Sequence, residues 1–350
     1  ARIQFAGQDL HASLQARSEN SRFQLEVSLG NLLNPSVPAH QAGAMQAVLV
    51  AAALNLPDFA SLFRKVSAPP PSAPPKNPLE IIIAALTRSW AMASKQVSIK
   101  AQNLKYEEFI ASRLNSDWHF DAGVWTLPQA DFGFADGSVH LDGRLESKGQ
   151  YPGFSLRATM DQMDIRKLFS AFQNFGQEAL LDKNLNGQLH AKLQLRGQIG
   201  GKAAFPDSLQ GKLDFFLQQG ELIDFEPLQR VSATAFKNKD LSDVRFADLR
   251  GSWEIHGSRI VIHPMKVTST AMTLILEGNY DLHRGPDLSI HIPLNNFTRP
   301  QQTMPLSGRR SNPEGLGLRL HANRGADGKL NLQWDPFRVS LRKSRRTPGA

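Results

Sequence analysis

Apolar and polar residues alternate along most of this chain. Phe23, Leu25, Val27 and Leu29 share one parity, as do Val97, Ile99 and Ala101, and Phe154, Leu156, Ala158 and Met160. The second half repeats the pattern with Leu189, Ala191, Leu193 and Leu195; Leu213, Phe215 and Leu217; Met272, Leu274 and Leu276; Leu288, Ile290, Ile292 and Leu294; and Leu316, Leu318, Leu320 and Ala322. A period of two puts these side chains on one face of a strand and the polar ones between them on the other. Strands with one greasy and one wet face are those of antiparallel sheets with a single buried side, so the predicted fold class is mainly β.

A finer repeat lies inside the alternation: an apolar residue, a glycine two positions later, then further apolar residues at the same spacing. It occurs at Leu141-Gly143-Leu145, Leu185-Gly187-Leu189-Ala191, Leu209-Gly211-Leu213-Phe215, Leu249-Gly251-Trp253-Ile255 and Leu276-Gly278-Tyr280-Leu282. Glycine on the apolar parity leaves no side chain and permits a bend, a bulge or the close approach of another group. A curved sheet with a notched inner face follows. The other reading is that these glycines relieve crowding in an ordinary sandwich.

A few segments change period. Asp164 is placed to cap a helix over residues 165–175, with Ile165, Leu168, Phe169, Phe172 and Phe175 along one stripe. A shorter helix is expected over 226–236. Two more apolar helices, about 42–63 and 79–92, flank Pro69, Pro70, Pro71, Pro74, Pro75 and Pro78, whose fixed φ and missing amides make a stiff spacer. This inserted hairpin is either a satellite core packed on the sheet or a lid over an exposed apolar face. Residues 300–313 form a polar loop without periodicity.

Composition narrows the chemistry. With no Cys among 350 residues, disulfides and thiol catalysis are excluded, and zinc is left with His and carboxylate ligands. The net charge of +8 is local. From Arg299 onward there are eleven Lys/Arg against Glu314, Asp327 and Asp335, so residues 1–298 carry 29 charges of each sign. A neutral body argues against an extended nucleic-acid surface. The basic run Arg338, Arg342, Lys343, Arg345 and Arg346 reads as a solvated tail, a patch for anionic lipid headgroups or a nucleic-acid arm, and the last lacks any recognised module. No apolar run approaches the roughly 20 residues of a membrane-spanning helix. The chain opens mid-pattern at Ala1, with Ile3 and Phe5 already alternating, as expected of a piece cut from something longer.

Reactive arrangements are sparse. The sequence holds no G-x-x-x-x-G-K-[ST], H-E-x-x-H or G-x-S-x-G, and no dinucleotide-type glycine fingerprint. His140, His190 and His291 sit between apolar neighbours, which sends their rings to the polar face, and His256 and His263 read similarly. No catalytic residue, metal or cofactor is expected.

From about Asp164 onward the sequence resembles the C-terminal region of AsmA-like proteins, in the branch found in Bacteroidota. The residues that carry the resemblance are Asp164-Ile165, Leu168-Phe169, residues 171–177 reading A-F-Q-N-F-G-Q, and 186–189 reading N-G-Q-L. Phe246 with Leu249-Arg250-Gly251, then I-V-I-H-P-M over 260–265, Ser269-Thr270-Ala271-Met272, and Trp334-Asp335-Pro336-Phe337 continue it. The resemblance implies an elongated, curved, taco-like β-groove in the periplasm, anchored in the inner membrane by an N-terminal segment absent from this chain. It implies a non-enzymatic role in outer-membrane biogenesis, carrying phospholipid acyl chains as the wider superfamily with TamB and YhdP is thought to do. The expected organisation is an N-terminal β-groove segment over 1–163 with the proline-linked helical insertion at about 42–92, an AsmA-like region over 164–337 and a basic tail over 338–350.

The candidate groove lining is Leu189, Leu193, Leu195, Leu213, Phe215, Trp253, Ile255, Ile260, Ile262, Leu274, Leu276, Ile290 and Ile292, each equally explicable as filled core. The expected partners are phospholipid acyl chains, the membrane surface through the basic tail and envelope assembly proteins, with no nucleic acid. A scaffold that holds outer-membrane proteins by its sheet edges without carrying lipid is the alternative, and an enzyme on envelope glycans or lipids the third.

Overall fold

The computed structural model describes residues 2–7, 9–30, 44–59, 94–146, 151–176, 180–199, 207–226, 228–229, 241–246, 248–293, 317–325 and 330–335. They form 18 strands and one seven-residue α-helix, with short 3-10 turns. The chain divides into two compact units, one of residues 1–163 with 192–209 and one of residues 164–191 with 210–350.

In the first unit β1 (Arg2–Ala6), β2 (Asp9–Arg17), β3 (Arg22–Gly30) and β4 (Ala44–Asn55) pair in sequence order, each antiparallel to the one before. A second meander follows: β5 (Lys95–Tyr106), β6 (Phe109–Asp121), β7 (Val124–Phe134), β8 (Gly137–Glu146) and β9 (Gly153–Asp164). The turn from β7 to β8 has φ of 47° at Ala135 and 61° at Asp136. Two successive left-handed residues give the turn a twist that matches the strands it joins. The two meanders are joined by a parallel pairing of β4 with β5, Met45 facing Lys95 and Ala51 facing Ala101. The described strand pairings are otherwise antiparallel, in keeping with the mainly antiparallel fold expected.

The helix expected over 42–63 is not there. Residues 44–55 form β4, with a 3-10 turn at Leu56–Phe59. Its five alanines favour a helix locally, but Ala47 and Ala51 are buried while Gln46, Val48, Val50 and Ala52 are exposed. That is a period of two, and hydrogen bonding to strands on both sides overrides propensity. The turn after β4 is pinned by Asp58, which accepts hydrogen bonds from Ser18 Oγ at 2.8 Å, Ser21 Oγ at 2.7 Å and Asn55 Nδ2 at 2.7 Å. The partner helix at 79–92, the prolines, the loop at 300–313 and the tail from 338 lie outside the described residues.

Small side chains dominate the buried positions of the first unit: Ala47, Ala51, Ala101, Ala111, Ala130 and Ala158. Its bulkiest cluster is Phe120, Trp125 and Leu145, packed by Val97, Trp118, Phe154 and Ile199. Lys95 shares this face; its side chain is buried with Nζ 4.1 Å above the Phe120 ring, and burial pushes the ammonium below the ordinary lysine value.

The second unit begins with α1 (Ile165–Ala171), capped as expected: Asp164 Oδ1 accepts the Lys167 N–H at 3.0 Å. The helix is shorter than the 165–175 predicted. Gln173, Asn174 and Phe175 turn left-handed at φ of 50°, 54° and 54°, leaving Phe172 and Phe175 exposed and stacked at 5.5 Å. β10 (Leu185–Gln198) belongs to this unit as far as Ala191. Then come β11 (Gln210–Ile223), β12 (Asp243–Arg245), β13 (Asp248–His256), β14 (Arg259–Thr268), β15 (Thr273–Asp281), β16 (Gly285–Pro293), β17 (Gly317–Arg324) and β18 (Leu330–Trp334). β11 pairs with β13 along most of its length and with β12 at its end, and β13 to β18 pair in sequence order, all antiparallel. Of the helix expected over 226–236, Glu226, Leu228 and Gln229 are described as helical, with the Gln229 N–H donating to Phe225 O at 3.2 Å.

Candidate apolar groove

Register, which alternation alone leaves open, aligns the apolar positions of the second unit into rows across the strands. Leu213 faces Trp253, Trp253 faces Ile262, Ile262 faces Gly278, Gly278 faces Leu288, Leu288 faces Ala322 and Ala322 faces Leu332. A neighbouring row runs from Met265 through Leu276, Ile290 and Leu320 to Trp334. Another joins Ile255, Ile260, Tyr280 and Pro286. The result is one apolar face carried by β11 and β13 to β18.

β14 keeps this face continuous by a bulge. Ile262 faces Gly278 but Met265 faces Leu276, so three steps on β14 answer two on β15. The extra residue moves the apolar parity from 260 and 262 to 265 and 267, leaves His263 and Pro264 exposed, and buries Met265 and Val267. Pro264 suits this position because a bulge frees a ladder N–H that proline does not have.

The glycines do different work. The Phe215 ring lies over Gly251, its direct cross-strand partner, where a Cβ would collide with it. Phe215 then meets Trp253 edge-on at 4.8 Å. This notch is filled by the protein itself. Gly278 sits at φ 142°, where a Cβ would collide with the Asp287 carbonyl, and Gly187 at φ 133°, where a Cβ would lie 3.0 Å from the Gln218 carbonyl oxygen; both are close backbone approaches.

Two clusters divide the face. At the end of the strands nearest Ile292, the residues Leu241, Val244, Met272, Ile292, Leu318 and Leu320 are buried together, with Leu228 packed against them. Leu228 and Leu241 come from the connection between β11 and β12, so this flank is covered. Elsewhere Ile262, Met265 and Val267 are buried, but the side chains around them, Phe215, Trp253, Ile260, Tyr280 and Leu288 among them, stay half-buried. Among the thirteen lining candidates only Ile262 and Ile292 are fully buried. Leu193 and Leu195 are half-buried in the first unit, and the rest belong to the second. The candidate set omitted Tyr280, Leu288, Met265, Leu318 and Leu320, all of which the register places on the same face.

The opposite face is polar and ion-paired. There His321 Nε2 lies 2.7 Å from Asp287 Oδ1, and within the first unit His140 Nδ1 lies 2.7 Å from Asp131 Oδ1. Glu254 meets both His256 Nε2 at 3.2 Å and His263 Nε2 at 3.1 Å, and these hydrogen bonds hold its carboxyl below the ordinary glutamate value. Arg245 bridges Glu221 and Asp243 at 3.0 and 3.1 Å, and the Arg250 guanidinium lies 3.9 Å above the Phe216 ring. His140, His256, His263 and His321 thus pair with nearby acids and His190 with the Gln218 amide, whereas His291, expected on the solvated face, is buried at 4% exposure. Among the described residues no group of three or more His, Asp or Glu is arranged to hold a metal ion. No helix among them is long and apolar enough to cross a membrane.

A mainly β, largely antiparallel structure with an apolar face agrees with the β-groove that the resemblance implies, and the AsmA family model matches residues 1–263. The chain belongs to the AsmA family. The match takes in the N-terminal strands, where the resemblance had been expected mainly from Asp164 onward, and stops at the β14 bulge. The AsmA assignment thus rests more on the first unit, all of which it covers, than on the second, whose residues from 264 onward lie outside it. No curated protein sequence and no solved structure matches the chain. The AsmA family is associated with the bacterial envelope and is generally non-enzymatic.

Proposed function

We propose that this chain is a non-enzymatic lipid-handling protein of the periplasm that shields phospholipid acyl chains against the apolar face of its sheet and so supports outer-membrane biogenesis. The observation that carries this reading is the set of cross-strand rows in the second unit, whose large side chains are aligned yet only half-buried around Trp253 and Leu288. A solvent-reachable apolar strip of this kind needs no reactive group to bind a tail. Burial of each CH₂ contributes about 0.8 kcal/mol, so a 16-carbon chain gains roughly 12 kcal/mol before ordering losses. Family membership supports the envelope setting.

The test is mass spectrometry of the gently purified protein together with uptake of a labelled acyl chain. Copurified phospholipid and saturable uptake are expected. Leu288→Asp should abolish uptake while leaving a cooperative melt, because Leu288 faces only Gly278 and Ala322 across the strands and is half-buried. A protein free of lipid that also fails to take up the label would favour the scaffold that holds envelope proteins without carrying lipid.

A further inference from the structure

Trp334 ends β18 and closes the apolar row that passes through Ile290 and Leu320. Its neighbour Leu320 is buried, yet the indole is 63% exposed, more than any other large apolar side chain described in the second unit. The apolar face therefore runs out to its last described strand and presents an aromatic ring to solvent there. Tryptophan is amphipathic, with a broad apolar body and an N–H donor, and it concentrates at the boundary between water and hydrocarbon.

The sequence beyond the strand supplies the complementary charge. Residues 336–350 contain Arg338, Arg342, Lys343, Arg345 and Arg346 and no Asp or Glu. The first of these cations follows Trp334 by four residues, a length of chain of at most about 14 Å. A cluster of cations attracts an anionic leaflet, and an apolar group beside it fixes depth; stable surface attachment takes two such signals.

We propose that Trp334 and the basic run after it form an anchor for an anionic bilayer surface. The ring enters the interface and the guanidinium and ammonium groups hold lipid phosphates around it. This adds a docking element to the acyl-carrying face, and it stands or falls apart from acyl carriage.

Co-sedimentation of the full chain with phosphatidylcholine vesicles, and with vesicles in which about a third of the lipid is phosphatidylglycerol, tests it. Binding should favour the anionic vesicles and weaken with salt. Trp334→Ala should lower binding to them about tenfold, equivalent to about 1.4 kcal/mol, and Trp334→Phe should retain most of it. Replacing Arg342, Lys343, Arg345 and Arg346 by glutamine should erase the preference for anionic lipid. The emission difference between wild type and Trp334→Phe isolates this indole and should shift to the blue on binding. Equal sedimentation of wild type and Trp334→Ala, an unshifted difference spectrum, or no preference for anionic vesicles would each overturn the anchor. Uptake of the labelled acyl chain should be unchanged when Arg342, Lys343, Arg345 and Arg346 are replaced by glutamine, so a failure of acyl carriage shows up in wild type and is distinguishable from a failure of docking.

Discussion

Within the second unit, the flank of the apolar face that holds Ile292, Leu318 and Leu320 and the flank that holds Trp253, Ile260 and Leu288 are built from similar residue types on a shared sheet. They differ in what lies against them. Leu228 and Leu241 from the β11–β12 connection cover the first, while the second packs mainly against neighbours on its own sheet. The comparison teaches that apolar parity specifies which side of a strand is greasy, and a segment distant in sequence decides whether that side is core or surface. One flank gives the unit its stability and the other remains available.

The comparison can be broken most severely on the covered flank. Ile292→Asp places a carboxylate in the buried cluster and should destabilise the second unit by about 4 kcal/mol or more, read as loss of its transition in denaturant unfolding. If Ile292→Asp melts like wild type, the flank is not a core. On the open flank, Gly251→Ala forces a methyl into the Phe215 ring and should cost about 1–3 kcal/mol, measured the same way. Adding Phe215→Leu should recover part of that loss if ring displacement is its cause.

The smallest effect is expected behind the open flank, on the polar face. Glu254 is held below its ordinary value by His256 and His263, so its contribution to stability is present above the ordinary glutamate range and is lost as the pH falls through the lowered value. Thermal melts across the acid range should show a shallower pH dependence for Glu254→Gln than for wild type. Because these groups are exposed, the difference should be modest, and identical slopes would mean that the pairing contributes nothing.

Much of this was legible in the sequence because one property, the alternation of apolar positions, is local. β3, β5, β9, β10, β11, β16 and β17 each follow from it, and the Asp164 cap follows from helix termini chemistry. What was not legible depended on partners. β4 reads as a helix from its alanines, and only pairing on both sides makes it a strand. The β14 bulge hid Met265 and Val267, although the parity change across His263-Pro264 is visible in retrospect as a proline where two phases of alternation meet. Gly251 reads equally as a notch or as relief of crowding, and it took register to bring Phe215 opposite. Tyr280, Leu288, Leu318 and Leu320 escaped the candidate lining for the same reason: alternation assigns a face without naming neighbours across strands.

The parallel pairing of β4 with β5 bears on how the first unit folds. The antiparallel strands on either side can zip as soon as each hairpin is synthesised, since their contacts lie close in sequence. β4 and β5 run in the same direction, so residues 56–94 have to return along a 12-residue strand, about 40 Å, before the two can meet. That junction is the long-loop closure of the unit and the expected slow step of its assembly. Until it closes, the edges of β4 and β5 stand unpaired, and this is where a partly made chain is most exposed to pairing with another.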